Sequence, residues 1–277
     1  MPEFSVVIIV KGRRRQLTNV LDSIQRATIL PCDIQVVAMD DGSDIREADH
    51  PRVQVHQLTS SESLPLAAAR NAGIARAQTD TIIFLDVDCI ASPTLFENML
   101  QKLDAHTIVS AYPLYLSEVP DSGSFVDVRG NALEHPDRRS IASDTPVDHL
   151  LFWSLIFAVE RKSFERIRGF DESFTGYGAE DTDFAMSFHR SGMSLVFIKD
   201  YVLHQYHPKY DPPYNHFDAI NTNARRYHAK WHKLPMGRWL RLFAEAGMIS
   251  IDTNDNITII RQPTQLEIDE SLSKEPY

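Results

Sequence analysis

At 277 residues the chain is long enough for one large domain or two small ones, and its 43% hydrophobic and 24% charged residues exclude a disordered or fibrous polymer. The 38 acidic against 28 basic side chains leave a formal charge of -10, the wrong sign for neutralising nucleic-acid phosphates over a broad surface, so no nucleic-acid partner is expected. Two cysteines, Cys32 and Cys89, exclude a disulfide scaffold and lack metal-ligand spacing, which reads as a reducing compartment. The start Met-Pro-Glu-Phe-Ser has no basic, apolar leader, and no run approaches the ~18 apolar residues of a membrane span. A cytoplasmic location is expected, with peripheral contact at the inner membrane face as a further expectation.

Residues 4–10 form a β-rich run, and 17–27 carry Leu17, Val20, Leu21 and Ile24 at helical spacing. A second strand over 34–39 ends in Asp40-Asp41-Gly42-Ser43, a turn sequence in which Gly tolerates φ > 0 and Asp or Ser bonds the local backbone. An Ala-rich helix follows over 63–77, a short apolar strand over 81–85 ends at Asp86-Val87-Asp88, and Pro93 opens a helix to about residue 103. Residues 108–112 are another buried strand. Residues 113–144, punctuated by Pro113, Pro120, Gly123, Gly130 and Pro136, read as a long irregular loop of the kind that usually carries function. Order returns through an aromatic stretch at 150–157, a helix near 161–167, a helix over 180–191 and a strand over 195–198. A His-, Tyr- and Pro-rich loop spans 204–214, helices near 217–230 and 236–246 complete the body, and the polar tail after Asp252 holds one strand-like run at 257–260. Strands alternating with helices predict an α/β fold with a mostly parallel central sheet flanked by helices. A single domain is expected over 1–250, divided at 112/113, with 251–277 as a C-terminal tail.

Ligands of an open α/β sheet bind at the carboxyl ends of the strands, and acidic residues stand there twice, at Asp40-Asp41 and at Asp86-Val87-Asp88. Neither Gly-x-Gly-x-x-Gly nor a P-loop is present, which disfavours an ordinary dehydrogenase or P-loop NTPase. A divalent cation held by carboxylates is another way to handle phosphate. In an extended segment residues two apart point the same way, so Asp86 and Asp88 can address one ligand, although an isolated Asp-x-Asp is more often a solvated turn. Glu180-Asp181 places two carboxylates at a helix start, where the macrodipole favours negative charge; alone, this is an ordinary acidic helix start. His204, His207, His216, His228 and His232 lie close in sequence but have no zinc signature. Tyr206, Tyr210, Tyr214, Trp231 and Trp239 can stack on rings or simply pack. Arg225, Arg226, Tyr227, Lys230 and Trp231 form a basic, aromatic patch that reads as a solvated helix face before it reads as a contact for an anionic lipid.

The run Ser5 to Val10 followed by Arg14 and Leu17, then Val37-Ala38-Met39-Asp40-Asp41-Gly42-Ser43, Ala69-Arg70-Asn71-Ala72-Gly73 and Phe84-Leu85-Asp86-Val87-Asp88, resembles the successive motifs of GT-A fold nucleotide-sugar glycosyltransferases of the family 2 type. Gly169-Phe170-Asp171-Glu172 with Gly176-Tyr177-Gly178-Ala179-Glu180-Asp181-Thr182-Asp183 resembles the acceptor-side motif of β-galactosyltransferases of family 7. The resemblance covers roughly 4–246.

That resemblance implies a Rossmann-like GT-A fold with a nucleotide-sugar-binding half (1–112), an acceptor-binding half (113–250) and C-terminal helices. It implies Asp88 as a direct ligand of Mn2+ or Mg2+, Asp86 on the donor ribose or in the metal's outer shell, and Asp40 or Asp41 on the nucleobase or ribose. Arg70 would line the diphosphate, with Arg13 and Arg14 near the nucleotide. His204, with His207 second, would complete the metal site. Asp181 would be the general base, Glu180 would orient the acceptor, Asp183 would face elsewhere, and Gly176 and Gly178 would let backbone approach the sugar. The implied activity is inverting, metal-dependent transfer of a hexose from a UDP-sugar, with galactose, N-acetylgalactosamine or glucose as the sugar, to a glycan or lipid-linked acceptor. The loop 205–215 would close as a lid, and 113–144 would shape the acceptor pocket. A nucleotidyltransferase and a non-catalytic carbohydrate-binding protein are the alternatives; the first lacks its Gly-rich loop here, and the second has no need of both carboxylate pairs.

Overall fold

The structure is a computed structural model that describes residues 2–45, 51–60, 64–273 and 275–276. The start of the predicted helix at Ser63 lies outside the described residues. In chain order the elements are β1 (Phe4–Val10), α1 (Arg14–Gln25), β2 (Asp33–Ala38), β3 (Val53–Gln57), α2 (Leu66–Arg76), β4 (Thr81–Leu85), β5 (Cys89–Ala91), α3 (Leu95–Lys102) and β6 (Thr107–Tyr115). There follow α4 (Phe125–Val128), β7 (Leu133–Glu134), β8 (Pro146–Val147), β9 (Ile156–Glu160), α5 (Arg161–Arg166), α6 (Glu180–Arg190) and β10 (Ser194–His204). The chain ends with α7 (Phe217–Trp231), α8 (Gly237–Glu245), β11 (Ile249–Ile251), β12 (Ile257–Ile259) and α9 (Gln265–Glu270).

The main sheet runs β3-β2-β1-β4-β9-β6-β10-β5, with β7 added to β6 and β8 to β10. The strands β1, β2, β3, β4, β6 and β10 point one way, and β5, β7, β8 and β9 oppose them. This is the expected mostly parallel sheet. Side chains alternate along β1: Val6, Ile8 and Val10 face a core shared with Leu17, Val20 and Leu21 of α1 and Leu95, Phe96 and Met99 of α3, whereas Val7 and Ile9 face α2 and the phenylalanines of α6. The small residues of α2 have a packing reason: a Cβ on Gly73 would collide with Val7, so the helix lies directly on β1. Chain order reverses at β1, which has β2 on one side and β4 on the other, creating a crevice at the carboxyl ends of those strands.

Four elements differ from the sequence expectation. β3 reads Val-Gln-Val-His-Gln, too polar to stand out from a loop, and β5 is three residues long. The strand expected at 195–198 extends to His204 because the carboxylate of Asp200, which interrupts the apolar pattern, is buried and accepts hydrogen bonds from Ser92 Oγ (2.5 Å), Thr94 Oγ1 (2.8 Å) and Asn98 Nδ2 (2.7 Å). The long loop expected over 113–144 instead begins as the end of β6 and holds α4 and β7. The tail is folded as well: Ile249 pairs with Ile259 across a hairpin that spans residue 250, and α9 starts with a capping box made by Thr264 and Glu267.

Candidate active site

The crevice is floored by the turn between β4 and β5. Asp86 N donates to Leu155 O and Cys89 N to Asp86 O, so Asp86-Val87-Asp88 is a tight turn and not the extended segment from which a shared direction was argued. Val87 is buried in the core beneath, Asp86 stays partly exposed, and Asp88 is 0% exposed. Antiparallel pairing of β10 with β5 sets His204 against Cys89, beside Asp88, and Gln205 N donates to Asp88 O at 2.7 Å. His207 follows on the loop, its Nε2 3.8 Å from Asp88 Oδ2. The ligating atoms of Asp88, His204 and His207 lie within 4.8 Å of one another, so both histidines reach the carboxylate that the sequence paired with one.

Two of these atoms, Asp88 Oδ1 and His204 Nδ1, are buried with no hydrogen-bond partner among the described residues. Burial pushes His204 down to about 3, with His207 and Arg13 adding to the effect, so its ring is neutral at physiological pH as a ligand must be. Burial pushes Asp88 up to about 7, against the opposing pull of Arg13 and with Asp86 adding to the rise. An orphaned carboxylate oxygen and a neutral imidazole nitrogen in one cluster are what a divalent cation requires. The residues present therefore fit a metal.

The arginines of the β1–α1 turn divide their work differently from the expectation. Arg13, in the left-handed region at φ 48°, ion-pairs with Asp88 Oδ2 and keeps part of its side chain exposed. Arg14 turns away: its Nη2 reaches Asp40 Oδ1 (3.0 Å) and Asp41 O (2.7 Å), and its Nε reaches Asp44 Oδ1 (2.9 Å). Asp40 also accepts from Gly12 N at 2.6 Å, which ties the loops after β1 and β2 together, while exposed Asp41 accepts from Ser43 N at 3.0 Å and is held below its ordinary range by that bond. Of the two arginines the sequence placed near the nucleotide, Arg13 is thus the one at the Asp88–His204–His207 cluster, and Arg14 is spent on the loop after β2.

The second carboxylate pair opens α6. Glu180 is buried and takes Arg70 Nη1 at 3.1 Å, with side-chain exposures of 9% and 5%. Arg70 also lies over the rings of Phe84 (5.4 Å) and Phe170 (5.1 Å). The structure therefore ties Arg70 to the start of α6, and makes Glu180 a partner of Arg70 before any acceptor. Asp181 stays partly exposed, with Oδ1 accepting from Thr182 N (2.7 Å) and Thr182 Oγ1 (3.3 Å). Burial and the neighbouring Glu180 raise it to about 6, with Arg70 opposing. Asp183, buried, is bonded to Trp231 Nε1 (2.7 Å) and Lys230 Nζ (2.9 Å), facing elsewhere as expected.

The glycines before α6 have a packing reason: a Cβ would stand 2.7 Å from Ala219 Cβ at Gly176 and 2.7 Å from Met236 Sδ at Gly178, and both have positive φ. Between them Tyr177 stacks on His216 (4.5 Å) and Trp239 (5.7 Å), and burial with Glu180 and Asp181 pushes its phenol upward. The basic, aromatic patch on α7 is only partly exposed. Tyr227 is buried, while Arg225 and Lys230 stay exposed and are tied down, Arg225 to Ile257 O (3.1 Å) and Lys230, with Trp231, to Asp183, so the face is solvated in part and its side chains are engaged within the fold. The loop expected as a lid is anchored at both ends. Gln205 bonds Asn19 (2.8 Å) and Gln16 O (3.1 Å), Asp211 N donates to Ser271 O (2.8 Å) and Ser273 N to Lys209 O (2.9 Å). Sequence reasoning missed Tyr115, whose ring lies 4.9 Å from His204, and Gln205; no spacing pattern marks either, because β6 and α1 bring their partners from over 80 residues away.

Two solved structures share this architecture. The mannosyltransferase PcManGT from Pyrobaculum calidifontis, in complex with GDP-Man and Mn2+, aligns with a TM-score of 0.56 at 19% identity, covering 88% of this chain and 69% of that one. GalNAc-T7 with UDP, GalNAc and Mn2+ aligns with a TM-score of 0.56 at 16% identity, over 74% of this chain and 43% of that one. Such identities speak for the fold, and the fold is that of the GT-A glycosyltransferases. Residues 5–207 match the family model described as glycosyltransferase like family 2, and the chain belongs to that family. Validoxylamine A glucosyltransferase of Streptomyces hygroscopicus subsp. limoneus is 26% identical over 234 residues, 72% of this chain and 51% of the relative. The chain spans about half the length of the curated relatives it matches. Among the described residues no helix is long and apolar enough to cross a membrane.

Proposed function

We propose that the protein is an inverting, metal-dependent glycosyltransferase that moves a hexose from a nucleotide-sugar, UDP-linked by preference, to a hydroxyl of a glycan or lipid-linked acceptor. The observation that carries this reading is the pair of orphaned buried atoms, Asp88 Oδ1 and His204 Nδ1, in a crevice that also presents a partly exposed carboxylate raised to about 6. Asp88, His204 and His207 would hold the cation, with Asp86 alongside toward the ribose. One carboxylate with two imidazoles suits Mn2+ better than Mg2+, which prefers oxygen ligands alone. Bound there, a divalent cation supplies charge neutralisation at the departing diphosphate.

The chain's own residues do the rest. Arg13 meets the diphosphate from its place on Asp88, while Asp40, locked to Arg14 and Gly12, shapes the wall for the nucleoside, with Asp41 exposed at its rim. Asp181 accepts the proton of the attacking hydroxyl through the oxygen that Thr182 leaves free. Arg70 ion-pairs with Glu180 and holds it in place, so Asp181 is the carboxylate of the helix start left to meet an acceptor hydroxyl. Residues 1–112 carry the donor side and 113–250 the acceptor side in this reading, except that the metal cluster joins them through His204 and His207. The likeness of 169–183 to the β-galactosyltransferase acceptor motif supports Asp181 as base. The ligands of the two solved neighbours, GDP-Man in one and UDP with GalNAc in the other, both come with Mn2+ and support the cofactor.

Titration calorimetry with UDP, GDP and CDP, each with Mn2+ and again with a chelator, tests the reading. Binding of one diphosphate that disappears with the chelator is the expected result, and metal-independent binding or none overturns it.

A further inference from the structure

Arg138 belongs to no element of the proposed reaction, yet it is only 5% exposed. It ends a short turn over Pro136–Arg138 that His135 braces by accepting from Asp137 N at 3.1 Å. Its guanidinium lies on the Trp153 ring, 3.1 Å from the centroid, and Nη1 donates to Leu151 O at 2.5 Å. The Trp153 ring is in turn set edge-on to His135 at 5.4 Å, and His135 lies 5.7 Å from Tyr115. Nε is buried with no partner, and no carboxylate of the described residues lies within ion-pair distance of the guanidinium; Asp137, its chain neighbour, is 83% exposed. A buried cation without an anion is a costly arrangement that a protein keeps for a purpose.

We infer that Arg138, held on Trp153, recognises an anionic group, carboxylate or phosphate, carried by the acceptor. The guanidinium fork matches either group through paired N–H donors, and stacking on the ring fixes its plane beforehand. Position argues for the acceptor: Arg138 is bonded to Leu151 O, in the turn His149–Leu151 that packs on α6 through the His149–His189 stack (4.0 Å) and His149 Nε2 against Met186 Sδ (3.1 Å), and α6 opens with Asp181. Burial lowers Arg138 to about 10, which leaves it charged at neutral pH. In a chain of net charge -10, with Asp181, Glu180 and Asp86 around the cleft, an anionic acceptor needs such a cation to approach the base. The inference rests on the transferase reading, because it takes Asp181 as the mark of the acceptor side.

Calorimetry with methyl β-glucuronide, glucose 6-phosphate and uncharged methyl β-glucoside, each run with and without UDP and Mn2+, tests it on the wild type, Arg138→Gln and Arg138→Lys. At least one anionic probe is expected to bind about tenfold or more tighter than the glucoside. Arg138→Gln is expected to abolish that margin, Arg138→Lys to keep part of it, and UDP affinity to stay within about twofold in both. The carboxylate and phosphate arms tell which anion is preferred. Equal binding of charged and uncharged probes, or a margin that survives in Arg138→Gln, overturns the inference, and so does a loss of UDP affinity, which would place Arg138 on the donor. Should Arg138→Gln fail to fold, quenching of wild-type Trp153 fluorescence by the anionic probes, measured against Trp153→Phe, gives the same decision: no anion-dependent quenching overturns it. Absence of UDP binding in every protein counts against the transferase reading alone, since the anion margin is also read without UDP.

Discussion

Asp88 and Glu180 are both buried carboxylates, and the fold leaves them in opposite conditions. Glu180 has a full partner in Arg70, backed by the Phe84 and Phe170 rings. Asp88 shares one oxygen with Arg13 and leaves the other unpaired beside two neutral histidines. The difference follows from what frames each residue. Asp88 sits in a turn fixed by strand pairing on both sides, so its neighbours cannot close in to satisfy it. Glu180 begins a helix that settles onto an arginine from α2. The unpaired oxygen of Asp88 and the paired Glu180 are thus both set by what the fold brings beside each carboxylate.

The sharpest break of this comparison is Asp181→Asn, which is expected to lower turnover by about 10²–10⁴-fold while Mn2+-dependent UDP affinity changes by less than about twofold; steady-state kinetics beside calorimetry checks both. Next, Arg70→Met strands a buried Glu180 and is expected to destabilise the fold by about 3–5 kcal/mol in urea unfolding, with Arg70→Met/Glu180→Gln regaining part of the loss. His204→Ala is expected to weaken Mn2+ binding by about 10–100-fold and to leave metal-free melting little changed, since Nδ1 makes no bond to lose.

The smallest effect is on stability against pH. The Asp181 carboxyl is raised from 3.8 to about 6, so its contribution to stability is present below pH 3.8 and is lost as pH rises to about 6. Asp181→Asn is therefore expected to unfold at higher denaturant than the wild type at pH 8, by up to about 3 kcal/mol, with the gap closing toward pH 4. The same titration has the opposite sign for activity: wild-type turnover falls about tenfold per unit below pH 6, because the base must be ionised.

Much of this was legible in residue order. Apolar runs bounded by turn residues gave β1, β2, β4 and the helices around them, and the acidic residues after those strands marked the crevice, because both signals are local. Arg13 at Asp88, Arg70 under Glu180, and Arg138 on Trp153 were not legible, since each joins segments dozens of residues apart or turns on which of two adjacent arginines points inward. The glycines at 176 and 178 were visible, but their reason, close packing on Ala219 and Met236, lies in α7 and in the residue just before α8.

The sequence by itself determined that this is an α/β protein with two carboxylate pairs placed to meet a ligand, because hydrophobic period and turn chemistry are written along the chain. Only the tertiary structure decided which oxygen and nitrogen atoms are left without partners. That is a property of what packs beside each side chain, and burial, unlike period, is set by segments that meet in space.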